Sequence, residues 1–297
     1  MGMVSMTGRI VKAISGFYFV RLEDGRNLQC KARGVFKKRG WKPLVGDLVR
    51  VEPQGTQEGT ITDLFARRSE LVRPSIANVD QALLVVALVQ PELSLYQLDK
   101  MLAMLALSKI EVGIAFTKID LPHALDVLQQ VQKIYEKLEY PIFALDVRHE
   151  VGVMPLHGFL QGKITVLAGQ SGVGKSTLLT HLIPGSGALT GQIGDRSKRG
   201  RHTTTHVELY SYADGFIADT PGFSQYAFDH LEPSHLGVLF REIAILRATC
   251  EYRGCLHTEE EGCAVRRAVE NGRMAESRYH NYVQLLTELK EAKARRY

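Results

Sequence analysis

Gly169-Gln170-Ser171-Gly172-Val173-Gly174-Lys175-Ser176 fills every fixed position of the phosphate-binding loop pattern Gly-x-x-x-x-Gly-Lys-Ser. Ile164-Thr165-Val166-Leu167-Ala168 ahead of it reads as a buried strand, and Ser176-Thr177-Leu178-Leu179 opens a helix behind it. Glycines let backbone N–H groups turn onto phosphate oxygens, and the helix N-terminus adds a field that favours an anion. In this pattern Lys175 reaches the β and γ phosphates and the Ser176 hydroxyl ligates Mg²⁺. Gln170, Ser171, Val173 and Thr177 complete the expected lining. The stretch implies a nucleotide-phosphate site inside an α/β sheet.

Working outward, Ala82-Leu83-Leu84-Val85-Val86-Ala87 is a continuous apolar run, as expected of a parallel strand covered on both faces. Leu95 to Leu107 has helical spacing, Val112 to Phe116 reads as a strand, Ala124 to Leu138 as a helix and Pro141 to Leu145 as a strand. Strands alternating with helices imply a doubly wound sheet whose functional loops sit at the strands' carboxyl ends. One such loop is Asp219-Thr220-Pro221-Gly222, after the strand Phe216-Ile217-Ala218. Asp219 is placed to hold Mg²⁺, and the Gly222 N–H to meet a γ-phosphate without a Cβ in the way. Another is Thr117-Lys118-Ile119-Asp120, close to the Asn-Lys-x-Asp motif of GTPases. There the Asp accepts two hydrogen bonds from guanine and the Lys stem packs along the base, so the expectation is GTP. Thr117 in place of Asn puts part of the loop-bracing role in question. This selector precedes the phosphate loop, the reverse of the usual order, so the domain reads as circularly permuted.

Between loop and switch, Gly191 to His206 is Gly-rich and basic, with no apolar periodicity. Among its threonines Thr204 is the favoured Mg²⁺ ligand, and ordering of such a loop by γ-phosphate and Mg²⁺ is the usual GTPase switch. Phe223 stands where many GTPases place a water-orienting Gln, so His202 is the candidate to position the attacking water beside Lys175.

Residues 1–70 read as all-β, with Ile10 to Val20 rich in β-branched and aromatic residues and a turn at Glu23-Asp24-Gly25. A small barrel of the oligonucleotide-binding type is expected. Lys31, Arg33, Lys37, Lys38, Arg39 and Lys42, with Phe36 and Trp41 interleaved and no acid between, suggest RNA contact, basic groups on phosphates and aromatics on bases. At the other end, Cys250, Cys255, His257 and Cys263 give Cys-x₄-Cys-x-His-x₅-Cys, a closed tetrahedral set typical of structural Zn²⁺. Zinc is expected to staple a region too small to hold a core, contributing roughly 10–16 kcal/mol as in small zinc peptides. Removing it should loosen residues after about His230. Leu236 to Leu246 and Met274 to Lys293 read as amphipathic helices, and Arg266, Arg267, Arg273, Arg278, Lys290, Lys293, Arg295 and Arg296 as basic surface. The expected division is thus 1–70 barrel, 71–229 permuted GTPase, and 230–297 mainly helical zinc-binding domain.

The 297 residues suffice for two or three domains, and a net charge of +5 suits an anionic partner. No apolar run approaches the ~20 residues of a membrane helix, and no secretion signal is visible, so the cytoplasm is expected. Clustered cysteines in such a compartment suggest metal before disulfides.

The permuted order, Arg201-His202-Thr203-Thr204-Thr205, Asp219-Thr220-Pro221-Gly222-Phe223, and Cys250/Cys255/His257/Cys263 followed by Ala264-Val265 together resemble one bacterial family. It is the circularly permuted ribosome small-subunit-dependent GTPase A, also called RsgA, YjeQ or YloQ, and the resemblance covers nearly the whole chain. The departures are Thr117 and Ala144-Leu145-Asp146-Val147, where relatives tend to carry small hydroxylic residues supporting the guanine, so weaker base affinity is expected. The resemblance implies hydrolysis of GTP to GDP and phosphate, on binding the small (30S) ribosomal subunit through 16S rRNA late in assembly. It further implies stimulation by the subunit, coupled to release of the enzyme or of other assembly factors. The implied cofactors are GTP or GDP, Mg²⁺ and one structural Zn²⁺, with K⁺ optional, in a monomer. On the residues alone two rivals stay open: a small-molecule kinase or ATPase, against which Asp120 argues, and an RNA-binding module whose nucleotide only regulates affinity.

Overall fold

In the computed structural model, alternation of apolar and polar residues builds five strands first: β1 (Met6–Ile14), β2 (Phe17–Leu22), β3 (Asn27–Ala32), β4 (Leu48–Gln54) and β5 (Glu58–Leu64). Residues 5–34, 36, 40–72, 74–186, 207–219, 228 and 231–295 are described. β1 pairs with β2, β2 with β3, β3 in parallel with β5, β5 with β4, and β4 back with β1. The circuit closes, so no edge remains, and the strand order is that of an oligonucleotide-binding barrel. Inward positions Ile10, Val20, Leu28, Cys30, Val49, Val51 and Ile61 are fully buried. Phe36 joins them at 3% exposure, correcting its expected role as an exposed stacking ring; Trp41, 45% exposed, keeps that capacity. Lys37, Lys38 and Arg39 lie outside the described residues.

After the barrel, β6 (Glu70–Val72) and β7 (Ser75–Ala77) form a hairpin. The α/β elements follow: β8 (Gln81–Ala87), α1 (Leu95–Ala106), β9 (Glu111–Thr117), α2 (Ala124–Tyr135), β10 (Ile142–Leu145), α3 (Val153–Leu160), β11 (Ile164–Ala168), α4 (Lys175–Leu182), β12 (Glu208–Tyr212) and β13 (Gly215–Asp219). The chain divides into two compact units, and β8 passes from one into the other.

The first unit comprises Met1–Leu83, Val153–Ala168 and Lys175–Phe223. In it β11 lies parallel to β13, β13 antiparallel to β12, and β12 meets β1 at Glu208↔Lys12. Lys12 and Glu208 also form a 2.7 Å ion pair. The start of β8 is fixed by a buried amide: Gln81 donates to the Phe159 carbonyl at 2.7 Å and the Thr165 hydroxyl at 2.9 Å, and accepts from Lys163.

The second unit comprises Leu84–Gly152, Gly169–Gly174 and Ser224–Tyr297. In it β9 runs parallel to β10, register Thr117↔Leu145, so both loops leave at the carboxyl end. The C-terminal part is α5 (Arg241–Leu246), α6 (Ala264–Glu270) and α7 (Glu276–Ala294), preceded by a 3-10 stretch Pro233–Leu239. The single helix expected over Leu236 to Leu246 is therefore two pieces, broken where Phe240 is extended at φ −99°, ψ 114°. That kink drives the Phe240 ring into a core with Leu236, Ile243, Val265, Tyr282, Leu285 and Leu286, joined by Ala103 and Met104 of α1. The region thus has a hydrophobic core, shared with α1, contrary to the expectation that zinc alone would hold it. Two members of the expected basic surface are also reassigned: Arg278 is 2% exposed, and Lys293 pairs with Glu232 at 2.5 Å. Among the described residues no helix is long and apolar enough to cross a membrane.

Candidate functional site

The phosphate loop takes the conformation its glycines permit. Gly169, Gly172 and Gly174 have φ of +143°, +80° and +101°, a region that side chains resist. A Cβ on Gly169 would lie 2.3 Å from the Val85 carbonyl oxygen, so the strand β8 leaves no room for one. α4 begins at Lys175 directly behind the loop and anchors itself through buried Leu178 and Leu179.

Within the second unit, the expected base selector is stitched to this loop. The Thr117 hydroxyl donates to the Val173 carbonyl at 2.6 Å, with the Val86 carbonyl at 3.3 Å. Lys118, at φ +62°, donates from Nζ to the Gly172 carbonyl at 2.9 Å and to the Gln90 carbonyl. The departure Thr117 thus supplies a brace of its own: a hydroxyl reaches the loop that a longer amide would otherwise meet. Asp120, two residues on, is exposed and follows the carboxyl end of β9. The neighbouring loop is drawn in by Ile119 N–H to the Leu145 carbonyl at 3.5 Å. Asp146, the second departure, turns inward to its own loop, accepting from the Arg148 and His149 N–H groups at 3.1 and 3.3 Å and pairing with the His149 ring. Thr117→Val keeps the side chain's shape and removes the donor. GTP affinity should fall about fivefold to thirtyfold, the equivalent of about 1–2 kcal/mol, while Thr117→Ser stays near the parent. Titration calorimetry with GTP checks both.

In the first unit, parallel pairing sets Asp219 opposite Leu167, at the carboxyl end of β13. Burial pushes the Lys175 ammonium below its usual range, and the charge of Asp219 draws it part-way back. Ser176 is half-buried and Thr177 exposed in the first turn of α4. The hydroxyl and carboxylate are hard oxygen donors, the chemistry Mg²⁺ takes. His202, Thr204 and Gly222 lie outside the described residues.

The four expected zinc ligands converge: one donor atom from each of Cys250, Cys255, His257 and Cys263 lies within 4.8 Å of all the others. His257 Nδ1 is 3.6 Å from the Cys250 sulfur and 3.5 Å from the Cys263 sulfur. Tetrahedral zinc with ordinary Zn–S and Zn–N bonds would set that edge at about 3.5 Å. Gly254 at φ +87° and His257 at φ +62° make the tight turn that the Cys-x-His spacing demands. Burial, with Cys263 adjacent, pushes the Cys255 thiol up to about 12, so a cation is needed to hold a thiolate there at neutral pH. The frame is fixed by Tyr279 and Tyr282, whose hydroxyls donate to the His257 and Leu256 carbonyls at 2.9 Å each. Three thiolates and an imidazole leave no open position for a substrate, so this set suits structural zinc.

Of the basic barrel residues, Lys31 lies 5.1 Å from the Phe17 ring centre, and Arg33 is paired with Glu52 at 2.7 Å. Sequence reasoning missed Phe65 and Arg50, whose guanidinium lies 5.8 Å over the Phe65 ring. Both stand outside the basic run, and only the closed barrel brings that ring near Trp41.

The sequence matches the family model described as RsgA GTPase over residues 64–229, and that of the RsgA N-terminal domain over residues 7–61. The chain belongs to the RsgA GTPase family. It is similar to the small ribosomal subunit biogenesis GTPase RsgA 2 of Listeria monocytogenes, at 43% identity over 98% of this chain and 99% of that one. RsgA of Bacillus subtilis is 41% identical over 97% of this chain and 99% of its own. Among solved structures, YjeQ from Thermotoga maritima superposes at a TM-score of 0.84 with 35% identity, covering 96% and 99% of the two chains. YloQ, described as a circularly permuted GTPase, superposes at 0.82 with 36% identity, covering 97% and 96%. As an RsgA-family protein the chain is a GTP hydrolase with a permuted GTPase domain, and GTP, GDP and Mg²⁺ are its implied ligands.

Proposed function

We propose that this GTPase binds the small ribosomal subunit through 16S rRNA and assists its late maturation. On this reading intrinsic hydrolysis is slow, the subunit stimulates it, and turnover is coupled to release of the enzyme or of other assembly factors. The observation that carries the reading is the hydrogen-bonded pairing of a Lys-x-Asp selector with the phosphate loop, Thr117 to Val173 and Lys118 to Gly172. It occurs in a chain that also carries an oligonucleotide-binding barrel and a Cys₃His module, and its relatives are named small ribosomal subunit biogenesis GTPases. GTP would lie along Gly169–Thr177, with Asp120 on guanine and the Gly222 N–H at the γ-phosphate. Mg²⁺ would be held by Ser176, Asp219 and Thr204, and would neutralise charge developing between the β and γ phosphates. One Zn²⁺ would be held by Cys250, Cys255, His257 and Cys263. The protein acts as a cytoplasmic monomer.

The test compares GTP and ATP hydrolysis with and without purified small subunits. Strong stimulation of GTP hydrolysis supports the reading; a preference for ATP, or no stimulation, overturns it. His202→Ala should leave GTP affinity unchanged and lower stimulated turnover by about 10²-fold or more, the usual scale for a positioned acid–base group. Unchanged turnover would remove His202 from the reaction. Stripping the zinc with a chelator should raise hydrogen exchange across Cys250–Cys263, while the hydrophobic core around Phe240 and Tyr282 confines the loosening and GTP binding persists.

A further inference from the structure

The barrel carries an open concavity of about 480 Å³ lined by Gly40, Trp41, Lys42, Leu64, Phe65, Ala66 and Arg67. That volume is in the range of small-ligand pockets. It is not on the β2–β3 face with which such barrels commonly take oligonucleotides. Its two rings are held out from the barrel: Trp41 is 45% and Phe65 is 37% exposed. Each is also fixed. Trp41 stacks on buried Phe36, centroids 6.2 Å apart and planes 22° apart, and its main-chain N–H donates to the Phe36 carbonyl at 2.9 Å. The Phe65 N–H bonds the Leu48 carbonyl at 3.0 Å.

Arg67 makes the wall rigid. Its guanidinium is spent on Asp47 at 2.8 and 2.9 Å, Glu70 at 2.6 Å and the Lys42 carbonyl at 2.8 Å, with the Asp47 side chain fully buried. Arg67 therefore holds residue 42 in place and offers no charge outward. The outward charges are Lys42 and Arg50, both exposed and neither paired with a carboxylate among the described residues. Two exposed aromatic rings, flanked by cations with no carboxylate partner among the described residues, match a flat base attached to phosphates.

We propose that this concavity stacks one unpaired base of single-stranded RNA, with Lys42 and Arg50 meeting the flanking phosphates. The inference rests on the reading of the barrel as an RNA-facing part. Trp41 is the only tryptophan of the chain, so its fluorescence reports on this site alone. The full-length protein is titrated with a seven-residue oligoadenylate RNA, with AMP, and with an RNA duplex. The expected result is saturable quenching by the oligomer, at least tenfold weaker response to AMP, and none to the duplex. Phe65→Ala should weaken oligomer binding about tenfold, as loss of one stacked partner does, and Phe65→Tyr should restore it. Unquenched emission, equal affinity of the Phe65→Ala variant, or equal quenching by the duplex would each overturn the proposal. Binding of AMP as tight as that of the oligomer would overturn it too, in favour of a free-nucleotide site. If small subunits stimulate GTP hydrolysis while emission stays unquenched, the pocket falls and the proposed function stands.

Discussion

Gly169→Ala should abolish measurable GTP binding, a loss of at least about 100-fold, equivalent to about 2.7 kcal/mol or more. Two independent features produce it. The φ of +143° lies where only glycine sits without strain. The new methyl would also come within 2.3 Å of the Val85 oxygen, and Val85 is fully buried in the middle of β8, so the obstacle is main chain that cannot swing aside. The neighbouring loop glycine is a built-in control. A Cβ on Gly172 would meet nothing closer than Pro91 at 3.9 Å, so Gly172→Ala carries only the strain of φ +80° and a milder loss, about 1–2 kcal/mol. Calorimetric titration with GTP separates the two, and circular dichroism confirms that both variants remain folded.

Arg278→Leu should be the most destabilising change outside the nucleotide loop, by about 3–5 kcal/mol. The guanidinium contacts Asp99 of α1 at 2.5 Å and Glu242 of α5 at 2.7 and 2.8 Å, and lies 4.8 Å from the Phe240 ring centre. Asp99 is 1% exposed and is also served by Asn281 at 2.6 Å and by the Tyr135 hydroxyl. Deleting the arginine strands a carboxylate in the core. Burial already pushes the Asp99 carboxyl above its usual range, with Arg278 opposing, so its removal moves that value further up. The sign follows: a group whose folded value is raised binds more protons folded than unfolded, so its contribution falls as pH rises through that folded value. The variant's deficit should therefore be large at neutral pH and shrink in mild acid. Adding Asp99→Asn should recover part of the stability and flatten the dependence. Urea unfolding followed by circular dichroism at several pH values measures this, and an equal deficit at all pH values would show that lost packing, not stranded charge, sets the cost.

The contiguous features are legible in the sequence alone. The loop Gly169–Ser176 and the strands Ile164–Ala168 and Gln81–Ala87 are local patterns, because each is dictated by residues adjacent in the chain. The Cys₃His set, whose four donors lie within 13 positions of one another in sequence, is legible for the same reason. What was not legible depends on partners far away in sequence. Arg278 reads as one of many surface charges on a helix, and only folding brings Asp99, 179 residues distant, against it. Phe36 sits among lysines and arginines, as an exposed ring would, yet the barrel claims it. Leu236 to Leu246 has helical spacing throughout, but burying the Phe240 ring outweighs the continuity of one short helix. Thr117 reads as a weakened selector because the carbonyl it reaches, on Val173, is 56 residues downstream.

The join after the barrel has a practical consequence for anyone dissecting the chain. Gly46, at φ +93°, lets residue 77 pass so close that a Cβ there would sit 2.0 Å from the Ala77 oxygen. Asn78 then clasps both sides, donating to the Gly46 carbonyl at 3.0 Å and accepting from the Arg68 N–H at 2.9 Å. Nothing here behaves as a tether. A fragment cut at residue 70 would end inside β6, shed its partner β7 and leave the Gly46 carbonyl without its amide donor. An isolated barrel intended for binding studies should run at least through Val79, whose carbonyl also receives the Ser69 hydroxyl.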